Sequence, residues 1–580
     1  MTEERESSFM KAVFHGVVAD DLIFPYPEMS KDERENVAMM IDSIRKFVSA
    51  KVDSAKIDRT HTIPDDVIQG MRELGLFGLS IPEEYGGLGL SASGYARVMQ
   101  EVAALDSSLA VTIGAHQSIG CKAIILFGTE EQKRKYLPKL ATGEWIAGFA
   151  LTEPGAGSDA ASITTRAELN SAGDTYTLNG SKIWITNGGI ADVFTVFART
   201  SDPANDAKPR ITALIVERAY GVTNGPNEEK MGIRGSSTTA LYFEDVKVPA
   251  SNVLGEAGRG FKVAMHVLNS GRLGLASGCV GGAKKMIQMS IERANERKAF
   301  GRPIGSFGMI KEKIARMMCE TYALESLTYL TTGIIDSGSK DYALESAICK
   351  VFGSETYWSV VNEGLQIAAG IGYMTEYPYE RMLRDARINL IFEGTNEILR
   401  AFIALVGVEG PAKQLTDLAK LDFASALREP IKGFGVLSDF ALQRARRELG
   451  REKLELAHPL LRHEASIFEA YAAKLARETD SVLIRHGKET FEMQFVQKRL
   501  AEVAVDLYAL AAVLSRTTRA LEQRGEPGAA RELELARGFA RIAEHRIRVR
   551  FDHMDDDADE ALKRIAATAY KDGSYTFDVV

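Results

Sequence analysis

The sequence is poor in the residues that form metal sites and disulfides. Its only cysteines are Cys121, Cys279, Cys319 and Cys349. They are widely spaced, with no C-x-x-C pair, and no histidine cluster has the spacing of metal ligands. We therefore expect buried thiols in a reducing compartment and no bound metal.

Long apolar runs and a strong charge of one sign are also missing. No apolar run approaches the roughly 20 residues that cross a bilayer. The N-terminal MTEERESSFM lacks both the apolar region of a secretion signal and the Arg-rich face of a transit peptide. The 79 acidic and 71 basic residues give a formal charge of −8, spread through the chain. We expect a cytoplasmic protein whose main ligand is not nucleic acid.

The texture of the sequence changes along the chain, and its length suggests roughly three or four domains. After an N-terminal arm at 1–35, apolar residues at helical spacing predict a helical domain over 36–150. Short β-branched and aromatic runs predict a β domain over 151–260, and helical patterns return over 261–410. The Ala-, Leu-, Glu- and Arg-rich composition of 411–580 predicts a separate helical appendage. The predicted fold class is therefore multidomain α+β.

A turn-rich stretch, LTEPGAGSD at 151–159, lies where the first helical domain meets the β domain. The small residues at 155–157 would let backbone N–H groups approach an anion, and Thr152 and Ser158 offer hydroxyl donors. The stretch is neither a Walker A loop nor a Rossmann fingerprint. It could hold a phosphate or the polar edge of a ring, or it could be an ordinary turn.

Two further stretches carry side chains that suit a flat, charged cofactor. In KIWITNGG, strand alternation places Trp184 and Thr186 on one face, where an indole and a hydroxyl could flank a heterocycle. In ERKAFGRPI, Arg297 could clamp a pyrophosphate and Phe300 could stack on adenine. The alternatives are a cross-strand aromatic pair in a core and a helix C-terminus capped by basic residues.

In IFEGTNEI, at 391–398, a carboxylate directly follows two apolar residues. Glu393 follows Ile391 and Phe392 and precedes Gly394, and burial of a carboxylate there would be costly without a function. Burial would raise its pKa toward the value that a general base needs near neutral pH. The alternative is an exposed glutamate before a turn.

These four stretches, in this order and in an α–β–α frame, resemble the acyl-CoA dehydrogenase family over about residues 8–410. Within the family, VFHGVVADDLIFPYPE, LGLFGLSIPEEYGGLGL, GAHQSIG and YPYERMLRDARI look like the very-long-chain members. Those members carry a helical C-terminal extension, which fits 411–580 by composition and length. The resemblance implies an N-terminal helical domain, a middle β-sandwich or barrel domain, a C-terminal four-helix bundle and an additional helical domain.

The resemblance implies FAD as the cofactor and assigns part of its site. Thr152 would hydrogen-bond the pyrimidine end of the flavin, and Ser158 would bind a pyrophosphate oxygen. Trp184 would pack against the isoalloxazine, and Thr186 would hydrogen-bond near its N5 atom. Thr395 would also contact the cofactor.

A neighbouring subunit would complete the FAD site, which implies an obligate oligomer, expected to be a homodimer. Arg297 would reach the pyrophosphate, Phe300 the adenine, and the stretch Gln366 to Gly370 the adenosine end. This stretch departs from the family pattern at Ala369, where a glycine is usual, so an extra methyl group must be accommodated.

Glu393 falls on the catalytic base of the family. Its carboxylate would remove the pro-R α-proton of a fatty acyl-CoA while the β-hydrogen leaves as hydride, giving the trans-2-enoyl-CoA. The backbone N–H of Glu393 and a ribityl hydroxyl would stabilise the enolate that grows on the thioester. Some members place the base just before the arginine that is Arg272 here, but that position is Gly271. The substrate-binding residues that the resemblance implies are Gly114, Ala115, Ser158, Arg272 and Gly394.

The segment TIGAHQSIG, at 112–120, aligns with the helix that floors the acyl pocket. Gly114 and Ala115 are small where medium-chain members are bulkier, which predicts a deep pocket and long-chain substrates. Packing of Gly114 against a neighbouring helix is the alternative. Electron-transfer flavoprotein is the electron acceptor that the family implies.

The segment 432–449 pairs aromatic residues with arginines and could lie on an anionic membrane surface, or be buried against the body of the protein. The protein could therefore be peripheral to the inner face of a membrane. Three other functions fit parts of the chain. An acyl-CoA oxidase would pass electrons to oxygen, a flavin monooxygenase of the same fold would not need Glu393, and an assembly or scaffolding factor would make catalysis secondary.

Overall fold

The computed structural model describes residues 8–201, 209–419 and 452–578. The predicted order of a helical, a β, a helical and a further helical part is confirmed. The segment 432–449, for which the sequence suggested membrane contact, lies outside the described residues.

The N-terminal part is helical, and its helices begin at polar caps. The Ser30 side chain accepts a hydrogen bond from the Glu33 N–H, and Thr129 and Gln132 form a reciprocal capping box. The helices are α1 (Phe9–Phe14), α2 (Lys31–Lys51), α3 (Ser54–Thr60), α4 (Asp65–Glu73), α5 (Ala92–Leu105), α6 (Ser107–Gly114), α7 (Lys122–Phe127) and α8 (Glu130–Thr142).

A π-helix, Ala115–Cys121, joins α6 and α7 into one helical run over Ser107–Phe127. By length and composition this run could span a membrane, so the expectation that no apolar run approaches that length is wrong here. Within the protein, however, 67% of its most apolar window is buried. His116 interrupts the apolar pattern, but its ring is satisfied: Nε2 lies 3.1 Å from the Phe77 carbonyl oxygen, and Nδ1 accepts from a backbone N–H.

The β domain is built on one eight-stranded sheet in the order β6-β7-β3-β2-β4-β5-β8, with β1 pairing parallel to β4. Its two long strands, β3 and β7, pair antiparallel, and their register shifts twice, once between Lys182 and Ile185. The strands are β1 (Ala147–Ala150), β2 (Arg166–Leu169), β3 (Thr175–Thr186), β4 (Val193–Thr200), β5 (Arg210–Glu217), β6 (Thr223–Asn224), β7 (Thr238–Pro249) and β8 (Val253–Leu254).

The second helical part packs its long helices against α5 of the first. The backbones of α5 and α9 approach closely at Gly281, where a Cβ would lie 1.9 Å from the Gln100 carbonyl oxygen. The helices are α9 (Gly260–Glu296), α10 (Gly308–Asp336), α11 (Ala343–Ala368), α12 (Pro378–Arg387) and α13 (Asn396–Ala419), with a hairpin of β9 (Lys298–Ala299) and β10 (Arg302–Pro303) after α9.

The additional helical part at the C-terminus is confirmed, and it shares one apolar core with the second helical part. Phe468 and Tyr508 are fully buried in the same cluster as Phe9, and the Tyr508 hydroxyl lies 2.8 Å from the Thr331 hydroxyl. A composition-based reading cannot show which apolar faces meet. The helices of the extension are α14 (Arg462–His486), α15 (Gln494–Gly528), α16 (Ala530–Asp552) and α17 (Ala558–Asp572).

Candidate active site

A cavity of about 440 Å³ lies where the two helical parts and the β domain meet. It brings together residues that are up to 303 positions apart in the chain, from Met99 to Phe402. The sequence-predicted residues that line it are Gly114, Ala115, Thr152, Ser158, Trp184, Thr186, Arg272, Glu393 and Gly394.

The loop that carries Glu393 lies between α12 and α13 and has an unusual backbone. Glu393 has a φ of 59° and Gly394 a φ of 92°, so two consecutive residues adopt the left-handed region. Two cationic side chains bind the carbonyl oxygens of this loop. Arg272 Nε donates to the Glu393 oxygen at 3.3 Å, and Lys350 Nζ donates to the Gly394 oxygen at 2.8 Å. These contacts hold a conformation that costs energy for a non-glycine residue.

The Glu393 carboxyl group faces the cavity with little compensation for its burial. Its Oε2 atom is buried and has no hydrogen-bond partner among the described residues. Burial raises the pKa of Glu393 to about 7, and the positive charges of Arg272 and Lys350 oppose that rise. A pKa near neutrality lets one carboxylate both accept and hold a proton at physiological pH.

Two further features of the loop bear on chemistry. The backbone N–H of Glu393 donates to no backbone carbonyl in the described parts of the chain. A Cβ at Gly271 would lie 2.6 Å from Glu393 Oε2, so only glycine leaves room for the carboxyl group in this position. Glycine at 271 therefore both removes the rival base and makes space for Glu393.

The stretch 151–159 forms a tight turn that contributes Thr152, Gly157 and Ser158 to the cavity lining. Glu153 and Ala156 exchange backbone hydrogen bonds of 3.1 Å. The sequence suggested that the N–H of Ala156 could bind an anion, but this N–H already has a partner. A buried ion pair fixes the turn to strand β3, with Lys182 Nζ 2.8 Å from Glu153 Oε1. Sequence reasoning missed this pair, because Lys182 lies in a strand that also carries threonine, asparagine and serine.

Trp184 and Thr186 both line the cavity, but simple strand alternation does not explain it. Trp184 has a φ of 56° and sits within the register shift of β3, which turns its side chain out of the regular pattern. Its indole is 64% exposed. An open aromatic surface, together with the hydroxyl-bearing Thr152, Ser158 and Thr186 on the same cavity wall, fits a flat ring with polar edges such as a flavin.

The remaining predicted cofactor residues lie outside the cavity. Phe300 is 95% exposed on the β9–β10 hairpin, which Arg297 precedes, and Gln366 and Gly370 are exposed at the end of α11. The Thr395 hydroxyl accepts from the Ile398 N–H at 3.3 Å, at the start of α13. Within one chain the structure does not bring these residues to the cavity, so their roles stay predictions.

The position usually occupied by glycine in the adenosine-binding stretch also has a structural consequence. Ala369 ends α11 with a φ of 56° and a ψ of −135°, a conformation that favours glycine. The departure from the family pattern therefore carries backbone strain as well as an extra methyl group.

Several lining residues were not found from the sequence. The lining includes three small residues of α5 and α9, namely Ala103, Gly274 and Gly278. Asp385 is a second buried carboxyl group in the lining, and burial raises its pKa to about 7. Its Oδ1 accepts from the Ile233 N–H at 2.5 Å, which ties α12 to the β domain. No local pattern distinguishes these positions from ordinary core residues.

Four family models match the chain. They describe the acyl-CoA dehydrogenase N-terminal domain over 34–144, the middle domain over 148–246 and the C-terminal domain over 258–406. The fourth describes the ACAD9/ACADV C-terminal domain over 459–575. Together they cover the N-terminal helices, the β domain, the second helical part and the extension.

Whole proteins of known type are similar over most of the chain. The very long-chain specific acyl-CoA dehydrogenase, mitochondrial, of Homo sapiens is 45% identical over 550 residues, covering 93% of this chain and 83% of that protein. Among solved structures, an acyl-CoA dehydrogenase complexed with FAD from Bacillus anthracis has a TM-score of 0.77 and 34% identity, covering 93% of this chain and 90% of that one. An electron transferring flavoprotein structure of Acidaminococcus fermentans has a TM-score of 0.62 and 37% identity, covering 65% and 98%.

The geometry of the cavity and these similarities point the same way. A carboxyl group with a pKa near neutrality lies beside a wall that fits a flavin, and the relatives that share this fold are acyl-CoA dehydrogenases. The chain belongs to the acyl-CoA dehydrogenase family and is a flavin-dependent oxidoreductase with FAD as its cofactor.

Proposed function

We propose that the protein dehydrogenates long-chain fatty acyl-CoA thioesters to trans-2-enoyl-CoA, the first step of fatty acid β-oxidation, and passes the electrons to electron-transfer flavoprotein. The observation that carries this proposal is the Glu393 carboxyl group in the cavity, whose buried Oε2 atom has no hydrogen-bond partner among the described residues. Thr152, Ser158, Trp184 and Thr186 would hold FAD on the opposite wall.

In the proposed reaction, the Glu393 carboxylate removes the α-proton of the thioester. The backbone N–H of Glu393 would donate to the thioester oxygen as negative charge grows there, an interaction of the oxyanion-hole type. Substrate bound in the apolar cavity would exclude water and keep the carboxylate poorly solvated, which preserves its basicity. When bound, FAD supplies the acceptor for the hydride that leaves the β-carbon.

Replacing Glu393 by glutamine should prevent bleaching of the flavin band by palmitoyl-CoA under anaerobic conditions. Loss of a general base costs about 10²- to 10⁴-fold in rate, while the backbone N–H remains in place. The matched control is Glu345→Gln, which removes another buried carboxyl group with a raised pKa, outside the cavity lining. Full-rate bleaching by the Glu393→Gln protein would refute the assignment.

The same residue should set the pH dependence of wild-type turnover. The pKa of Glu393 in the enzyme without substrate is about 7, and the reaction needs the carboxylate form. We therefore expect kcat/KM for palmitoyl-CoA to rise with pH, with an acidic limb near pH 7. The Glu345→Gln control should keep that limb.

The preference for long chains rests on the shape of the cavity. Gly114 faces it with only Met99 Cε near its missing Cβ, at 3.7 Å, and Ala103 and Gly278 are also small. This arrangement leaves room for an extended acyl tail beyond the reacting carbons. It favours long-chain substrates over short ones because each buried methylene adds binding free energy.

Filling this space should shorten the preferred substrate. In Gly114→Leu, the new side chain can extend into the cavity, so kcat/KM for palmitoyl-CoA should fall about 10- to 100-fold, while butyryl-CoA should be little affected. The short substrate serves as the internal control for folding and for FAD content. An equal loss on both substrates, or wild-type turnover that peaks on butyryl-CoA, would contradict the proposed pocket.

The proposed acceptor separates this enzyme from an acyl-CoA oxidase of the same fold. Similarity to the electron transferring flavoprotein structure of Acidaminococcus fermentans and to dehydrogenases supports a protein acceptor. We expect substrate-reduced enzyme to reduce added electron-transfer flavoprotein rapidly and to give little hydrogen peroxide in air. One peroxide per enoyl-CoA formed would instead identify an oxidase.

We further propose a homodimer in which Arg297, Phe300 and the stretch Gln366 to Gly370 bind the FAD of the partner subunit. The support is the position of Phe300, an almost fully exposed phenyl ring at the tip of a hairpin, away from the cavity of its own chain. In this position the ring is accessible to a second molecule, as a shared site requires.

Phe300→Ala should weaken FAD retention about 10-fold, because a stacking partner of the adenine is lost. FAD content after gel filtration at decreasing protein concentration measures this effect, and the elution volume reports the oligomeric state. Tyr570→Ala, which removes another exposed ring on α17, is the matched control. A monomer that retains FAD at full affinity would contradict the shared site.

A further inference from the structure

A buried lysine on α11 is attached to the loop that carries the base. Lys350 is fully buried, and its Nζ donates to the Gly394 carbonyl oxygen at 2.8 Å and to Asn396 Oδ1 at 2.7 Å. One ammonium group thus binds the loop on both sides of Thr395. Nothing in the proposed reaction uses this lysine, yet burial of a charge is costly enough to need a reason.

The second contact of the ammonium group is itself fixed in place. The Asn396 side-chain amide donates to the Ser354 hydroxyl and to Glu355 Oε1, both at 3.0 Å and both on α11. Lys350 also lies on α11. Residues of this one helix therefore bind the Gly394 carbonyl oxygen and both polar atoms of the Asn396 side chain. The position of the loop is therefore set by hydrogen bonds to helix α11.

The titratable groups near Glu393 lie on three helices. Arg272 on α9 and Lys350 on α11 favour its carboxylate, and the Tyr95 hydroxyl on α5 is the other titratable group near it. Burial lowers the pKa of Lys350 to about 8, so the lysine is mostly charged at neutral pH. The other groups that act on Lys350 electrostatically are Cys279, Arg272 and Glu355.

From this geometry we infer that Lys350 is a positioning residue for the reaction: it fixes the left-handed Glu393–Gly394 backbone and keeps the base ionised. The two roles follow from one group, since the ammonium that binds the Gly394 oxygen also lies close enough to stabilise the Glu393 carboxylate. This inference rests on the proposed role of Glu393 as the base.

Lys350→Met removes the charge and the donors while roughly keeping the length of the side chain. Without the positive charge the carboxylate is less favoured, so the pKa of Glu393 rises and the acidic limb of kcat/KM should move up by roughly one pH unit. Because the loop also loses its anchor, kcat for palmitoyl-CoA should fall about 10- to 100-fold. Amide hydrogen exchange over residues 391–396 should become faster.

The control is Lys230→Met. Lys230 is another partly buried lysine with a pKa lowered to about 8, and its hydrogen bonds go to Ser236 and Thr238 rather than to residues of the base loop. Its loss should lower thermal stability and leave the acidic limb in place. Asn396→Ala gives a second test that keeps the lysine charge: exchange over 391–396 should increase and kcat should fall several-fold, with the acidic limb unchanged.

The outcomes separate this inference from the proposed function. If wild-type flavin is not bleached by any acyl-CoA, the proposed function fails. If wild-type protein is active but Lys350→Met keeps the wild-type acidic limb, the positioning role is refuted. Should Lys350→Met not fold, unchanged exchange and turnover in Asn396→Ala would refute it instead.

Discussion

The burial of one carboxyl group imposes the main constraint on this structure. Glu393 must face an apolar cavity without a partner on Oε2, and burial raises its pKa to about 7. A backbone with two consecutive left-handed residues achieves this orientation, and it requires donors for the carbonyl groups that it turns inward. Arg272 and Lys350 supply them from two different helices, so the position of the base depends on how those helices pack.

The same loop connects the site to the C-terminal extension. Glu355, which holds Asn396, also accepts a hydrogen bond from Arg400 at 2.8 Å, and Arg400 Nε lies 3.2 Å from Glu502 on α15. The extension also shares a continuous apolar core with the second helical part. The extension therefore packs directly against the helices that position the site.

Much of the site could be predicted from the sequence because short local stretches, taken together and in order, resemble the acyl-CoA dehydrogenase family. The β-branched runs, the helical spacing and the isolated Glu393 in IFEGTNEI are all patterns within a few residues, and the predicted order of domains is confirmed. Alternation gave the right wall for Trp184 and Thr186 although a register shift interrupts it. It could not indicate the Lys182–Glu153 pair, whose members lie 29 residues apart.

The sequence by itself determined which residues could do chemistry: a carboxylate after two apolar residues and, through the resemblance to the family, a glycine at 271 where some members place the base and small residues at 114 and 115. Only the tertiary structure decided that the carboxyl group is buried and that a side chain at 271 would collide with it. It also decided that the ammonium group of Lys350, 44 positions away, binds the loop. Burial and charge depend on contacts between distant segments, and local periodicity carries no information about those contacts.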